Sequence, residues 1–306
     1  MKLAKNVKNL PKSGRPVTIS SELNQLNVAL SITEDPHNTI RKLQQQHDLS
    51  YGSVQRILTK MLKFHLYKVK FVQELNDDDP DKRVQFAELM MDRMDADANF
   101  LKRIVFSDEA TFFLNGSINR HNMSYWSESN PEWIIDSRST QYPQKVNVWA
   151  GIINNTIIGP FFIEGNLDGR KYEELLRNQI VPAIQVFAGV HFDHTWFQQD
   201  GAAPHYARDI RNYLQEVLAG RWIGRRGVIE WPARSSDLTP LDYFLWDYLK
   251  DRVYRTKPAN IEELKQRIRD EITAIEQDMI ERAVSSFYDR MAFCQEVDGN
   301  HFEHKL

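Results

Sequence analysis

The chain has 306 residues, 42% of them hydrophobic, with 7 Trp, 16 Phe and 11 Tyr; that is ample for a large core and excludes a disordered chain. No apolar run approaches the roughly 20 residues of a membrane span, the first residues lack the apolar stretch of a secretory leader, and the single Cys294 excludes an internal disulfide and a cysteine-built zinc site. The net charge of −3 hides an asymmetry: residues 1–70 hold 12 Lys/Arg against 4 Asp/Glu, and residues 71–306 hold 27 against 38. A basic head on an acidic body predicts a polyanion-binding module joined to a second domain, in a reducing compartment such as cytosol or nucleus.

Residues 1–19 form a basic arm ending in Gly14-Arg15-Pro16. Glycine and proline on either side keep Arg15 on an extended backbone, suited to a DNA minor groove or, equally, to a plain linker. From residue 20 to 63 the spacing predicts three short helices, with apolar faces on Leu23, Leu26 and Leu30, then Ile40, Leu43 and His47, then Val54, Ile57, Leu58 and Met61. A turn at Leu49–Ser53 before the third helix fits a helix-turn-helix, as does a plain three-helix bundle. Its polar side carries Ser53, Gln55, Arg56, Thr59 and Lys60; in a helix-turn-helix these are the candidate DNA contacts, with Gln55 or Arg56 reaching base edges in the major groove. Residues 64–99 read as a helical linker, capped by an acidic turn at 76–81 and bearing an apolar face of Val84, Phe86, Ala87, Met90, Met91 and Met94.

From residue 100 onward the pattern is α/β. A hydrophobic strand runs into Ser107-Asp108-Glu109, and Thr111–Leu114 follows as a second strand. Asn115–Tyr142 is too long and aperiodic for a hairpin turn. Lys145–Ile153 and Thr156–Glu164 form a strand pair joined by Asn154-Asn155. Tyr172–Phe187 is an amphipathic helix, and a further strand stops at Gln199-Asp200 before Gly201, Ala202, Ala203 and Pro204. A helix at Ala207–Leu218, a short strand at Gly227–Pro232, an aromatic helix at Leu241–Leu249 and two more helices over 260–292 complete the chain.

Taken singly, Asp108, Asp200 and Asp242 could each be a helix cap or first-turn acid. Adjacent central strands would instead set Asp108 beside Asp200, at the strand ends where open α/β sheets bind ligands, and the aromatic helix would bring Asp242 to the same crevice. Clustered carboxylates are costly unless a cation sits among them, and hard oxygen ligands suit Mg²⁺ or Mn²⁺. Two such ions about 4 Å apart support phosphoryl transfer.

Ser107-Asp108-Glu109, Gln199–His205 and Ser236–Tyr243 together resemble the catalytic core of mariner/Tc-superfamily transposases, and the helix-turn-helix with its Gly-Arg-Pro tract resembles their DNA-binding half. The resemblance implies a ribonuclease H-like domain over 100–306, a mixed sheet flanked by helices. It implies a triad of Asp108, Asp200 and Asp242 holding two Mg²⁺ ions, with Asp237 as runner-up for the third acid and His205 in a supporting place. It further implies cut-and-paste transposition in the nucleus: strand cleavage at terminal inverted repeats, then attack of the freed 3′-hydroxyl on target DNA. By position, Asn115–Tyr142 matches the loop through which family members clasp a partner, so the resemblance implies a homodimer on paired ends. Two departures stand out. The 41 residues between Asp200 and Asp242 exceed the usual mariner spacing, with the excess around Ala219–Gly227, and only 13 residues precede Gly14, so the first of the family's two helix-turn-helix units is expected to be missing. The alternative is a catalytically inactive or host-adopted DNA-binding protein; a ribonuclease H-like nuclease on RNA hybrids is a third class that suits the helix-turn-helix less.

Overall fold

The computed structural model describes residues 22–35, 38–64, 73–116 and 144–303. The Gly14-Arg15-Pro16 tract and all but the first two residues of Asn115–Tyr142 lie outside them. The chain divides into two compact units, Met1–Val69 and Lys70–Leu306.

In the first unit α1 spans Glu22–Glu34, α2 Ile40–His47 and α3 Tyr51–Arg56, the last continuing as a wider turn through Ile57–Met61. Side chains cap two of these helices. Thr39 Oγ1 accepts from Lys42 N at 3.2 Å ahead of α2, and Ser50 Oγ from Ser53 N at 3.2 Å ahead of α3. Asp48, with φ +49, ends α2 in the left-handed conformation that starts the tight turn. The core is Val28, Leu43, Leu49, Val54 and Ile57. The predicted apolar face of α1 is corrected here. Leu23, Leu26 and Leu30 are 66%, 56% and 51% exposed, and only Val28 of that helix is buried.

The second unit is a three-layer sandwich. The helix α4, Asp79–Ala96, precedes the strands β1 (Ile104–Phe113), β2 (Lys145–Ile153) and β3 (Thr156–Ile163). Then come α5 (Gly169–Leu175), continued through Leu176–Ile180 into α6 (Val181–Ala188), the strand β4 (Trp196–Gln198) and the helix α7 (Arg208–Leu218). The short strands β5 (Trp222–Gly224) and β6 (Ile229–Glu230) lead to α8 (Trp246–Val253), α9 (Ile261–Thr273) and α10 (Gln277–Glu296).

The sheet order is β3-β2-β1-β4-β5-β6. β1–β2 and β2–β3 pair antiparallel, whereas β1–β4, β4–β5 and β5–β6 run parallel. Each face is buried under its own helices, as a mixed sheet requires. One face packs on α4, α8, α9 and α10 through Phe86, Phe106, Phe112, Trp246, Leu249, Ile268 and Phe287. The other packs on α5, α6 and α7 through Val105, Trp149, Tyr172, Ile184, Phe197 and Leu214. The apolar side of α4 is therefore core of this unit.

Three details differ from the sequence reading. Thr111–Phe113 is no separate strand, because β1 runs unbroken through Asp108 and Glu109, paired with β2 along its length. β5 was not expected; it has three residues, too few for an alternation to register. Pro204 opens a short 3₁₀ turn, Ala203–Tyr206, ahead of α7.

Candidate active site

The period of two along β1 sorts its residues between the faces. Ile104, Phe106, Ala110 and Phe112 belong to the core beneath α8, so Asp108 points the same way. Val105 belongs to the opposite core, and Glu109 points there. Phe106 lies opposite Gln198 on β4. Two residues further along each strand bring Asp108 and Asp200 level, at the edge where β4 ends and β1 continues. The crevice opens where the parallel half of the sheet stops.

Asp242 arrives from the turn Leu241–Leu245 that leads into α8, with Pro240 just ahead of it. Its carboxyl stands close enough to those of Asp108 and Asp200 for their charges to act on one another. Four residues on, one helical turn, Trp246 Nε1 donates to Asp108 Oδ2 at 2.7 Å. Burial is the main force pushing Asp108 well above the ordinary carboxylate range, and the charges of Asp242, Glu109 and Asp200 add to it. Asp242 is raised to about 7, again chiefly by burial and then by Asp200, with Lys250 opposing. Burial and neighbouring negative charge thus push both acids toward the protonated form.

Asp200 behaves differently. Burial opposes its charge, but the hydrogen bond and positive charge of His205 and the bond from Ala202 N outweigh it and lower its pKa. His205 Nδ1 donates to Asp200 Oδ1 at 2.6 Å, and Ala202 N to the same oxygen at 2.9 Å. His205 Nε2 lies 3.1 Å from Glu109 Oε2, a charge contact outside hydrogen-bond angles. Burial disfavours the imidazolium, yet the Glu109 charge and the Asp200 hydrogen bond prevail and raise His205 to about 10. The ring packs on Tyr172, 4.2 Å between centroids. Tyr172 OH donates to Gln199 Oε1 at 2.8 Å, and Gln199 Nε2 to the His205 carbonyl at 3.2 Å. His205 thus bridges Glu109, on one face of β1, to Asp200 at the end of β4.

The runner-up third acid, Asp237, has another task. Arg83 of α4 grips it with two bonds, Nη1 to Oδ1 at 2.7 Å and Nη2 to Oδ2 at 2.5 Å, and both side chains are buried. Arg83 Nε also donates to the Gly299 carbonyl at 2.7 Å. Asp237 is spent on holding the loop before α8 to α4 and to the chain's last turns.

The donor set fits a hard divalent cation: three carboxylates lie near enough to act on one another's charge, two of them are pushed toward the neutral form for want of a counter-charge, and the buried Glu109 Oε1 has no hydrogen-bond partner. Among the described residues no three His, Cys, Asp or Glu side chains converge in a ready-made coordination cluster. The bonds turn the acids elsewhere: Asp200 toward His205, and Asp108 toward Trp246. Sequence reasoning missed Trp246, Glu109, Tyr172 and Gln199. Trp246 was within reach, since its spacing of four from Asp242 puts both on one helix face.

In the first unit Gln55, Arg56, Thr59 and Lys60 are exposed together along α3 and its extension, and Ser53 is half-buried. Ser53 and Thr59 are already engaged, Ser53 Oγ with Ser50 Oγ at 2.8 Å and Thr59 Oγ1 donating to the Gln55 carbonyl at 2.8 Å. Arg15 lies outside the described residues. Among those residues no helix is long and apolar enough to cross a membrane.

The architecture is a six-stranded mixed sheet between helices, with Asp108 and Asp200 level on neighbouring central strands. Mos1 transposase, in a paired-end complex with the left transposon end, has the same fold: TM-score 0.66 and 22% identity over 96% of this chain and 83% of that one. The Mos1 catalytic domain alone, solved with Mn, matches 76% of this chain at TM-score 0.59. By sequence, Tc3 transposase of Caenorhabditis elegans is 28% identical over 222 residues, and Tcb1 transposase of Caenorhabditis briggsae 32% identical over 119. The chain spans 61% of the length of the first and 38% of the second. No protein-family model matches. The chain is thus similar in sequence to the Tc3 and Tcb1 transposases and in fold to Mos1 transposase.

Proposed function

We propose that this chain is a cut-and-paste DNA transposase that binds terminal inverted repeats, cleaves at their ends and transfers the freed strand to target DNA. The observation that supports it most is the meeting of Asp108, Asp200 and Asp242 in one crevice of a Mos1-like fold. Asp108, Asp200 and Asp242 would hold Mg²⁺ or Mn²⁺, two ions per site; Mos1 catalytic domains have been solved with each metal. Bound there, a divalent ion supplies charge stabilisation at a phosphoryl oxygen.

The chain's own residues prepare that crevice. Trp246 fixes the rotamer of Asp108, and His205 keeps Asp200 ionised and Glu109 in place. Asp242, raised to about 7, would serve as a ligand in its ionised form, which a divalent cation in the crevice would favour. Ser53, Gln55, Arg56, Thr59 and Lys60 present the helix-turn-helix to a major groove, and Arg15 would follow the adjoining minor groove. Paired-end complexes of Mos1 support a homodimer with both transposon ends bound, and work on chromosomal DNA implies the nucleus.

The test is strand cleavage by the purified chain on terminal-inverted-repeat DNA taken from the sequence around its gene, with Mg²⁺ and with EDTA. The expected result is metal-dependent cleavage leaving 3′-hydroxyl ends that join to target DNA. Tight repeat binding with no cleavage in Mg²⁺ or Mn²⁺ would overturn the enzyme and leave the host-adopted DNA-binding protein.

A further inference from the structure

Three guanidiniums crowd one aromatic ring beside Asp200. Arg211 lies 4.9 Å, Arg225 4.4 Å and Arg226 5.3 Å from the centroid of Tyr206. All three charges therefore sit within about one Debye length of each other at 0.1 M salt, where their repulsion is only partly screened. Cation–π contact offsets some of that repulsion and fixes the side chains, but it leaves the charges uncompensated. Among the described residues none of the three has a carboxylate within ion-pair reach, and the buried Nε of Arg211 has no hydrogen-bond partner.

The backbone builds this arrangement on purpose. Gly224 to Gly227 is a tight turn closed by the Gly227 N–H donating to the Gly224 carbonyl at 2.8 Å. Arg226 occupies a left-handed position, φ +56, that glycine or asparagine would fill with less strain. A Cβ on Gly227 would lie 3.0 Å from Gly224 N, Gly224 O and Ile229 O, so the turn that points both arginines outward depends on a glycine there. The stem of Arg225 runs along Gly201, the residue after Asp200; a Cβ on Gly201 would touch it at 3.5 Å. The turn thus borders the crevice. It also falls in the stretch that lengthens the interval between the second and third acids.

We propose that Arg211, Arg225 and Arg226, arrayed on Tyr206, form a clamp for the DNA sugar–phosphate backbone just outside the Asp200 crevice. Planar guanidiniums pair with phosphate oxygens through two parallel bonds, and a row of them follows successive phosphates without reading bases. The clamp rests on the DNA-processing reading above, and it gives the lengthened interval a purpose.

The test compares full-length wild type with the double variants R225A/R226A and R225K/R226K on a random-sequence duplex of about 40 base pairs, following log Kobs against log[salt]. Both arginines are exposed, so all three proteins should melt alike. Losing two phosphate contacts makes the slope shallower by about 2 in the alanine variant, while the lysine variant keeps it. An alanine variant with the wild-type slope overturns the clamp; if wild type still cleaves repeat DNA, the transposase reading survives that result. A reduced slope in a chain that never cleaves keeps the clamp and removes the enzyme.

Discussion

At the scale of single residues, the site is organised by opposite treatment of its acids. Asp108 is driven toward the protonated form by burial and by the charges of Asp242, Glu109 and Asp200, and Asp242 by burial and the charge of Asp200, while Asp200 is held ionised by a buried imidazolium. A carboxyl whose folded pKa lies above its unfolded value destabilises the fold progressively as pH rises from the unfolded pKa to the folded one. For Asp242 that window runs from the ordinary 3.8 up to about 7. In EDTA, Asp242→Asn should therefore melt higher than wild type at pH 7, and the gap should close toward pH 4. Mg²⁺ should raise the melting temperature of wild type and not of the variant. Thermal melts at both pH values check this, and a gap that widens in acid would contradict it.

His205 makes the complementary prediction, because its loss leaves Glu109 and Asp200 without their shared cation. His205→Ala should lower metal affinity and cleavage by roughly 10–100-fold, as loss of a group that orients ligands does. Mn²⁺ titration followed by a cleavage assay measures both, and values within twofold of wild type would refute the role. The three acids were legible in the sequence because each follows an apolar run or a proline. Trp246 and His205 show what was half-legible: His205 closes the Gln199–His205 motif and Trp246 lies on the predicted aromatic helix, but their roles depend on contacts with Asp108 and Glu109 across the fold.

Among the elements, the join between α4 and the loop before α8 sets where Asp242 stands. Arg83 reaches Asp237 and the Gly299 carbonyl, and Arg234 pairs with Asp79 at the start of α4. Breaking one side of a buried pair leaves a naked charge, typically at a cost of about 3–5 kcal/mol. Asp237→Ala should therefore lower stability by that order, and denaturant melts will show it; an unchanged midpoint would remove Asp237 from the framework. Gly299 is fixed by contact as well as by conformation. Its φ is +75, and a Cβ would lie 2.1 Å from the Pro80 carbonyl oxygen. Gly299→Ala should cost roughly 1–3 kcal/mol from overpacking alone, seen as a drop in melting temperature. None of this was legible locally, since Asp237 and Arg83 are 154 positions apart. The strand pair β2–β3 and the helices α7 and α10 were legible, because their alternation and periodicity run long enough to register. β5 is too short for that. Leu23, Leu26 and Leu30 show the converse failure, a helical spacing read as a buried face that the first unit leaves exposed.

On the scale of the whole molecule, the charge asymmetry and the fold match the proposed division of labour, a basic helical unit for DNA and an acidic α/β unit for chemistry. Under that proposal the acidic body receives a polyanion at its crevice, and the arginine turn beside Asp200 supplies positive charge there. The central claim is that Asp108, Asp200 and Asp242 do the chemistry while Asp237 only holds the frame. It is tested most directly by Mg²⁺-dependent cleavage of terminal-repeat DNA with each acid changed singly to Asn. The account predicts that the Asp108, Asp200 and Asp242 variants stay folded, bind the repeat and lose cleavage by several orders of magnitude, while Asp237→Asn loses stability first and cleaves in proportion to its folded fraction. Full cleavage by Asp200→Asn, or a folded and inactive Asp237→Asn, would contradict it.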